Sequence, residues 1–214
     1  MQGLYLVTDR ELIGDRDFNA VVLAAVDGGV AYVQLREKDA TTRDFVDAAR
    51  ELSPLLTERG VPLIINDRVD VALAAGADGV HLGQRDLDPT TARRLLGPDA
   101  LLGLSVESMD DVINAEDADV AYLGVSPIFE TPTKRDTLGE WGLDGLARVR
   151  RRSRHPLVAI GGLNVDNAAS AIAAGADAIA VVSAVCAAAD PRRAAADLVA
   201  QIKLGATKTT GSET

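Results

Sequence analysis

The chain has 214 residues, of which 47% are hydrophobic, 25% charged and only 3% aromatic, and its formal net charge is −10. That apolar fraction excludes a disordered chain, and the length suits one sizeable core. The acidic balance disfavours a nucleic-acid binder, which must neutralise phosphates, and equally disfavours adsorption to an anionic membrane. No apolar run reaches the ~18 residues of a spanning helix. The opening MQGLYLVTDRE lacks a basic leader followed by an apolar stretch, so no signal peptide is expected. One cysteine, Cys186, excludes an internal disulfide and a cysteine-built zinc site. The expectation is a soluble cytoplasmic protein. Alanine and glycine, 35 and 19 residues, replace the aromatic bulk that a core of this size usually carries.

In chain order, β-branched runs predict strands at Leu4–Thr8, Ala31–Arg36, Pro62–Asn66, Gly79–Gly83, Leu102–Val106, Val120–Ser126, Pro156–Gly161 and Ala178–Ser183. Between them lie segments with apolar residues at helical spacing, most clearly Phe45, Ala48, Ala49, Leu52 and Leu55–Leu56. Helix-start signals fall at Thr41–Thr42, Asp88-Pro89-Thr90, Asn164-Val-Asp166 and Asp190-Pro191. Glycines at 28–29, 60, 76 and 175 mark helix exits. The phrase Ala-Gly-Ala-Asp recurs at 75–78 and 174–177, each time before a strand, and reads as capping plus a tight turn. Strict alternation of strand and helix requires parallel strands with helical crossovers. Eight such units predict an α/β single-domain (β/α)₈ TIM barrel over residues 1–205, with residues 206–214 as a disordered tail. The rival is an open doubly wound sheet; no G-x-G-x-x-G follows the first strand to support its dinucleotide-binding form.

In a parallel barrel the strand C-terminal ends and the loops after them build the active site. Strand two ends Gln34-Leu-Arg36-Glu-Lys38, three donors alternating along one face of an extended segment, which suits a polyanion. The chain has only four lysines, at 38, 134, 203 and 208, and two of these fall where anion binding is plausible. Strand three ends Asn66-Asp67-Arg68 and strand four leads through His81 to Asp86. Asp67 and Asp86 therefore share a rim, and two carboxylates plus water and phosphate oxygens are what Mg²⁺ accepts. Taken singly, Asp67 reads equally as a helix cap and Asp86 as a turn residue. His81 reads as a hydrogen-bonded core or rim histidine, and His155 sits at the wrong end for chemistry.

Ser105, at the end of strand five, reads as a substrate contact or a helix cap. After strand six, Pro127 through Thr131, Thr133 and Lys134 cluster hydroxyls and an ammonium around prolines, opening the longest connection, Phe129–Gly142. Gly161-Gly162 and Val182-Ser183 end strands seven and eight, where backbone N–H groups of this fold commonly hold phosphate. Two anion sites, one metal-assisted and one not, suit a reaction between a diphosphate and a monophosphate substrate. No Ser/His/Asp set or Cys/His pair competes.

These phrases are together similar to one family. Tyr5-Leu-Val-Thr-Asp9, Gln34-Leu-Arg-Glu-Lys-Asp39, Ile65-Asn-Asp-Arg-Val-Asp70, Gly79-Val-His-Leu-Gly-Gln84 with Asp86, Pro127-Ile-Phe with Thr131-Pro-Thr-Lys134, and Val158-Ala-Ile-Gly-Gly162 resemble thiamine-phosphate synthase, over about residues 3–203. The resemblance implies an enzyme joining hydroxymethylpyrimidine diphosphate to a thiazole phosphate, or its carboxylate, to give thiamine phosphate and pyrophosphate. It implies a dissociative course, in which pyrophosphate leaves before the thiazole nitrogen attacks. Gln34, Leu35, Arg36, Glu37, Lys38 and Asn66 would bind the pyrimidine diphosphate, Asp67 and Asp86 would hold Mg²⁺, and Ser105 would contact the pyrimidine. Thr131, Pro132 and Thr133, with Gly162, Val182 and Ser183, would hold the thiazole phosphate. Lys134 would bind the diphosphate, and with Ser105 it is assigned to the reacting centre. Glu130 departs from the family pattern in that loop. A thiazole tautomerase shares the fold and one phosphate site but needs no diphosphate machinery, and a non-catalytic phosphate sensor is a third reading. The partners expected are small molecules, with neither nucleic acid nor membrane; a homo-oligomer is compatible with the sequence.

Overall fold

A computed structural model describes residues 1–130 and 139–210. Its eight strands are β1 Gly3–Val7, β2 Val30–Leu35, β3 Leu63–Asn66, β4 Gly79–Leu82, β5 Leu101–Val106, β6 Tyr122–Val125, β7 Leu157–Ile160 and β8 Ala178–Val181. Every neighbouring pair is parallel, and β8 closes on β1, so the sheet is a barrel and the open-sheet rival is eliminated. The helices are α1 Arg10–Ile13, α2 Phe18–Asp27, α3 Thr42–Thr57, α4 Val69–Ala75, α5 Pro89–Leu96, α6 Met109–Ala115, α7 Gly142–Arg152, α8 Ala168–Ala173, α9 Ser183–Cys186 and α10 Pro191–Thr210. Among the described residues no helix is long and apolar enough to cross a membrane.

Local chemistry sets the helix starts. The Thr41 hydroxyl accepts from the Asp44 N–H, and the Asp88 carboxylate from the Thr91 N–H, one turn ahead of Pro-led α5. Ser108 and Asp111 form a reciprocal capping box on α6. Two expectations need correction. Asn164 does not start a helix: its carboxamide is spent on the Asp166 N–H, and α8 begins only at Ala168. The last helix runs to Thr210, so residues 206–210 continue α10 where composition predicted a disordered tail. The tail's final residues, 211–214, lie outside the described residues.

Apolar residues divide into two layers. Leu4, Leu6, Val33, Leu35, Leu63 and Ile65 point outward and pack against the helices. Tyr5, Val7, Ile64, Tyr122, Val158, Ala178 and Ala180 point inward and fill the barrel. The inner layer alternates bulk with small residues: Tyr5 pairs with Ala180 in register, and Tyr122 with Gly103. That alternation is how so few aromatics fill a closed barrel.

The repeated Ala-Gly-Ala-Asp phrases sit half a barrel apart at the N-terminal rim and perform the same task. Asp78 donates its N–H to the Leu63 carbonyl and accepts the Leu63 N–H on its carboxylate, at 2.9 and 2.7 Å. Asp177 does the same to Leu157, at 2.8 Å for both bonds, and also receives Arg150 at 3.0 Å. Each aspartate therefore satisfies the first backbone group of the neighbouring strand. His155 belongs to this rim too, buried with its Nε2 3.1 Å from the Ala115 carbonyl.

Candidate active site

At the opposite rim the strand ends bring polar side chains together. Asp67 follows the last residue of β3 and adopts φ 64°, a left-handed backbone rarely taken by a residue with a side chain. Its N–H is held by the His81 carbonyl of β4 at 2.8 Å, which fixes that turn. The carboxyl it presents interacts with that of Asp86. Burial, and then the Asp86 charge beside it, push Asp67 up to about 6, while Asn66 and Lys38 act in the opposite direction. Asp86 is also a turn residue, as its simplest reading had it: its Oδ2 accepts the Gly83 N–H at 2.7 Å. Asn66, Asp67, Asp86 and Lys38 are thus one group. Two like charges converging beside a single ammonium form a donor set that fits a hard divalent cation completed by water or phosphate oxygens.

Along the strand-two face the outcome is mixed. Gln34 points inward, 5% exposed, with its Nε2 donating to the Tyr5 hydroxyl at 2.9 Å. The Leu35 side chain lies in the layer between barrel and helices, so it does not join the site. The Arg36 N–H rests on the Thr8 hydroxyl at 3.1 Å, and its guanidinium stands 3.5 Å from Asp9. The Glu37 carboxylate is taken by Arg10, whose Nη2 and Nε lie 2.5 and 3.0 Å away, and its side chain is 8% exposed. Glu37 therefore braces the loop against α1 instead of facing a ligand; alternation along an extended segment sends it to the other side from Arg36 and Lys38.

Ser105 projects from β5 with its Oγ 2.8 Å from His81 Nε2, and its carbonyl accepts from Gln84 at 2.6 Å. His81 is half-buried, stacked on Tyr122 at 5.5 Å, and hydrogen-bonded through both ring nitrogens. It is the rim histidine that the sequence suggested.

β7 and β8 pair up to Ile160 and Ala180, which sets Gly161-Gly162 beside Val182-Ser183 at the same end of the barrel. Gly161 and Gly162 have φ 103° and 65°. A Cβ on Gly162 would lie 2.7 Å from Phe129 Cβ and 2.8 Å from the Glu130 carbonyl, so only glycine fits beneath the strand-six loop. Ser183 is the first residue of α9, following Val182. Thr131, Pro132, Thr133 and Lys134 lie outside the described residues. Both ends of their loop are fixed: Phe129 N–H donates to Gly161, while Trp141 and Gly142 donate back to Pro127 and Ile128.

Sequence reasoning missed Thr8, Asp9 and Arg10, which follow strand one and support Arg36 and Glu37. The rule that strand ends carry the chemistry applies to strand one as well. It also missed Tyr5 and Tyr122, whose hydroxyls meet at 2.8 Å inside the barrel; the signal was glycine at 103 and 124, inside two predicted strands.

The fold and rim together define a (β/α)₈ barrel with a paired-carboxylate, lysine-assisted cluster on one side and a glycine-lined strand-seven and -eight end on the other. The family model for thiamine monophosphate synthase matches residues 4–185. The thiamine-phosphate synthase of Albidiferax ferrireducens is 60% identical over 188 residues, covering 88% of this chain and 86% of that protein. The thiamine-phosphate synthase of Leptospira biflexa is 52% identical over 198 residues, covering 91% and 94%. The thiamine phosphate pyrophosphorylase structure from Pyrococcus furiosus superposes with a TM-score of 0.86 at 36% identity, covering 95% of this chain and 96% of that one. A 3-hexulose-6-phosphate synthase structure, at 17% identity and TM-score 0.70, shares the fold. This chain belongs to the thiamine monophosphate synthase family.

Proposed function

We propose that the chain condenses 4-amino-2-methyl-5-hydroxymethylpyrimidine diphosphate with thiazole phosphate, giving thiamine phosphate and pyrophosphate, as its relatives' names imply. The observation that carries this reading beyond family membership is the Asp67–Asp86 pair beside Lys38 and Asn66. A barrel that only isomerised a thiazole phosphate would have no use for two carboxylates converging beside an ammonium.

Asp67 and Asp86 would hold Mg²⁺, which when bound supplies charge neutralisation to a diphosphate leaving group. Arg36 and Lys38 bind the same diphosphate. Asp9 and Thr8 orient Arg36, so its guanidinium is preorganised when the ligand arrives. Gln34, Asn66 and Ser105 bind the pyrimidine. Thr131, Pro132 and Thr133 bind the thiazole phosphate together with Gly162, Val182 and Ser183, where backbone N–H groups can approach because Gly162 has no Cβ. Lys134, outside the described residues, is assigned to the diphosphate by the family resemblance alone. The bond from the pyrimidine methylene to the diphosphate oxygen breaks, and its electron pair leaves with pyrophosphate. The thiazole nitrogen then donates its lone pair to the methylene carbon. That nitrogen carries no proton, so its attack requires no general base, in keeping with a rim that holds no nucleophile–histidine–carboxylate set among its described residues.

The test is to incubate both substrates with Mg²⁺ and measure pyrophosphate and thiamine phosphate in equal amounts. Isomerisation of a thiazole carboxylate phosphate without pyrophosphate release would establish the tautomerase reading instead. Binding of thiazole phosphate with no turnover would establish the sensor reading.

A further inference from the structure

A continuous polar chain crosses the barrel interior. Gln34 Nε2 donates to Tyr5 Oη at 2.9 Å, Tyr5 Oη and Tyr122 Oη are 2.8 Å apart, Tyr122 Oη is 3.0 Å from His81 Nδ1, and His81 Nε2 is 2.8 Å from Ser105 Oγ. Five strands contribute one residue each: β2, β1, β6, β4 and β5. Two glycines make room for it. A Cβ on Gly103 would overlap the Tyr122 ring and lie 2.6 Å from His81 Nδ1, and one on Gly124 would lie 2.9 Å from His81 Cε1. Burial pushes both phenols upward, so each keeps its hydrogen.

Donor counting restricts this chain. Each phenol has one hydrogen and a neutral imidazole has one, so every link must point the same way along the chain. A mixed order would leave a phenol hydrogen unpaired, or ask one oxygen for two hydrogens, in a buried site. Gln34 presents its amide nitrogen to Tyr5. With that nitrogen facing Tyr5, the order that leaves no buried hydrogen unpaired runs from Tyr5 to Tyr122, from Tyr122 to His81 Nδ1 and from a hydrogen on His81 Nε2 to Ser105 Oγ, with the Ser105 hydrogen left for a further acceptor.

We propose that Tyr5 and Tyr122 are positioning residues that set the hydrogen-bond polarity of Gln34 and Ser105, and through it the specificity for the heteroaromatic substrate. Ser105, already accepting from His81, has its hydrogen free to donate, and the Gln34 carbonyl remains available as an acceptor. A ligand ring that accepts at Ser105 and donates at Gln34 is matched by this order, and an aminopyrimidine does both, its ring nitrogens accepting and its exocyclic amine donating. A ring of the reverse polarity would require the whole chain to turn over. The inference rests on the pyrimidine reading of this side of the site.

The test uses full-length protein labelled with ¹⁵N-histidine. The chain has two histidines, so His155 serves as an internal reference. At pH 8 without substrate, ¹⁵N NMR shows His81 as a single tautomer with its proton on Nε2. Tyr122→Phe gives mixed tautomers, and Tyr5→Phe, which breaks the chain further back, shifts the ratio in the same direction; His155 is unchanged in both. Each variant raises KM for the pyrimidine diphosphate about tenfold, leaving KM for thiazole phosphate unaltered. Calorimetry with the free aminopyrimidine alcohol reads the same loss without turnover, so a wild type that makes no thiamine phosphate refutes the proposed function alone. His81 protonated on Nδ1 in the wild type, or folded variants with unchanged tautomer and unchanged pyrimidine affinity, would overturn the proposal.

Discussion

The two rims of this barrel use the same residue for opposite ends. At the N-terminal rim, Asp78 and Asp177 each meet backbone N–H groups that need an acceptor, and Asp177 has Arg150 as well. Their carboxylates are satisfied by the protein itself. At the C-terminal rim, Asp67 and Asp86 face each other, with Asp67 in a left-handed backbone and its carboxyl driven up by burial and by its neighbour. Within the protein that pair has only partial relief, from Asn66, Lys38 and the Gly83 N–H. Residues that stabilise the fold are those the protein completes; residues that act are those it leaves to be completed.

Four experiments test this contrast. The largest effect is expected at the acting rim. Asp67→Ala or Asp86→Ala lowers kcat/KM for thiamine phosphate formation by about 10³-fold, several kcal/mol of transition-state stabilisation, with the folded barrel retained. Steady-state kinetics across a Mg²⁺ titration measures it, and product formation indifferent to both substitutions would end the metal assignment.

The next effect is expected at the supporting rim. Asp177→Ala leaves the Leu157 N–H and Arg150 without their acceptor and lowers unfolding free energy by about 2 kcal/mol. Turnover per folded molecule stays at the wild-type value. Urea denaturation paired with activity at low temperature checks both halves.

Gly162→Ala forces a side chain into a left-handed backbone against Phe129, at a cost of about 1–2 kcal/mol. It should also raise KM for thiazole phosphate more than KM for the pyrimidine diphosphate. Equal rises would remove Gly162 from the phosphate site.

The smallest effect has the opposite sign. Asp67 has its folded-state pKa raised from 3.8 to about 6, so the folded chain holds that proton more tightly than the unfolded chain. Stability is therefore present at low pH and declines as pH rises towards and through 6. Asp67→Asn removes the repulsion and suits the left-handed backbone. With chelator present at pH 8 it should stabilise the fold by about 1 kcal/mol, a figure reduced for the solvent that still reaches this carboxyl, while activity is lost. Denaturation midpoints with and without chelator decide it.

Much of this molecule was legible in the sequence because its signals are local. All eight strands stand within a few residues of where β-branched runs placed them, and Thr41, Asp88 and Asp190 perform the starts their types suggest. Asn164 misled because an asparagine can bond to a backbone group two residues on as readily as it caps a helix. The alternation set Gln34, Arg36 and Lys38 on a different face from Leu35 and Glu37, which the family resemblance nonetheless counted among the diphosphate contacts; Leu35 lies in the core and Glu37 on Arg10. Alternation could not say that Glu37 would find Arg10, which lies 27 residues earlier. The pairing of Asp67 with Asp86 followed from strand order alone, but the like-charge contact between them did not.

By itself the sequence determined the eightfold alternation, the parallel barrel it enforces, and the rim on which chemistry must sit, since strand periodicity and helix caps depend on near neighbours. The motifs also carried the family. Which polar residues are spent on the fold and which remain available depends on partners that barrel closure brings together. Asp78 and Asp67 are both aspartates, eleven positions apart; what separates them is the partner each meets from the neighbouring strand or its loop, which no local pattern encodes. The line from Gln34 through Tyr5, Tyr122 and His81 to Ser105 is of the same kind, because its hydrogen-bond order exists only once barrel closure brings five strands within reach of one another.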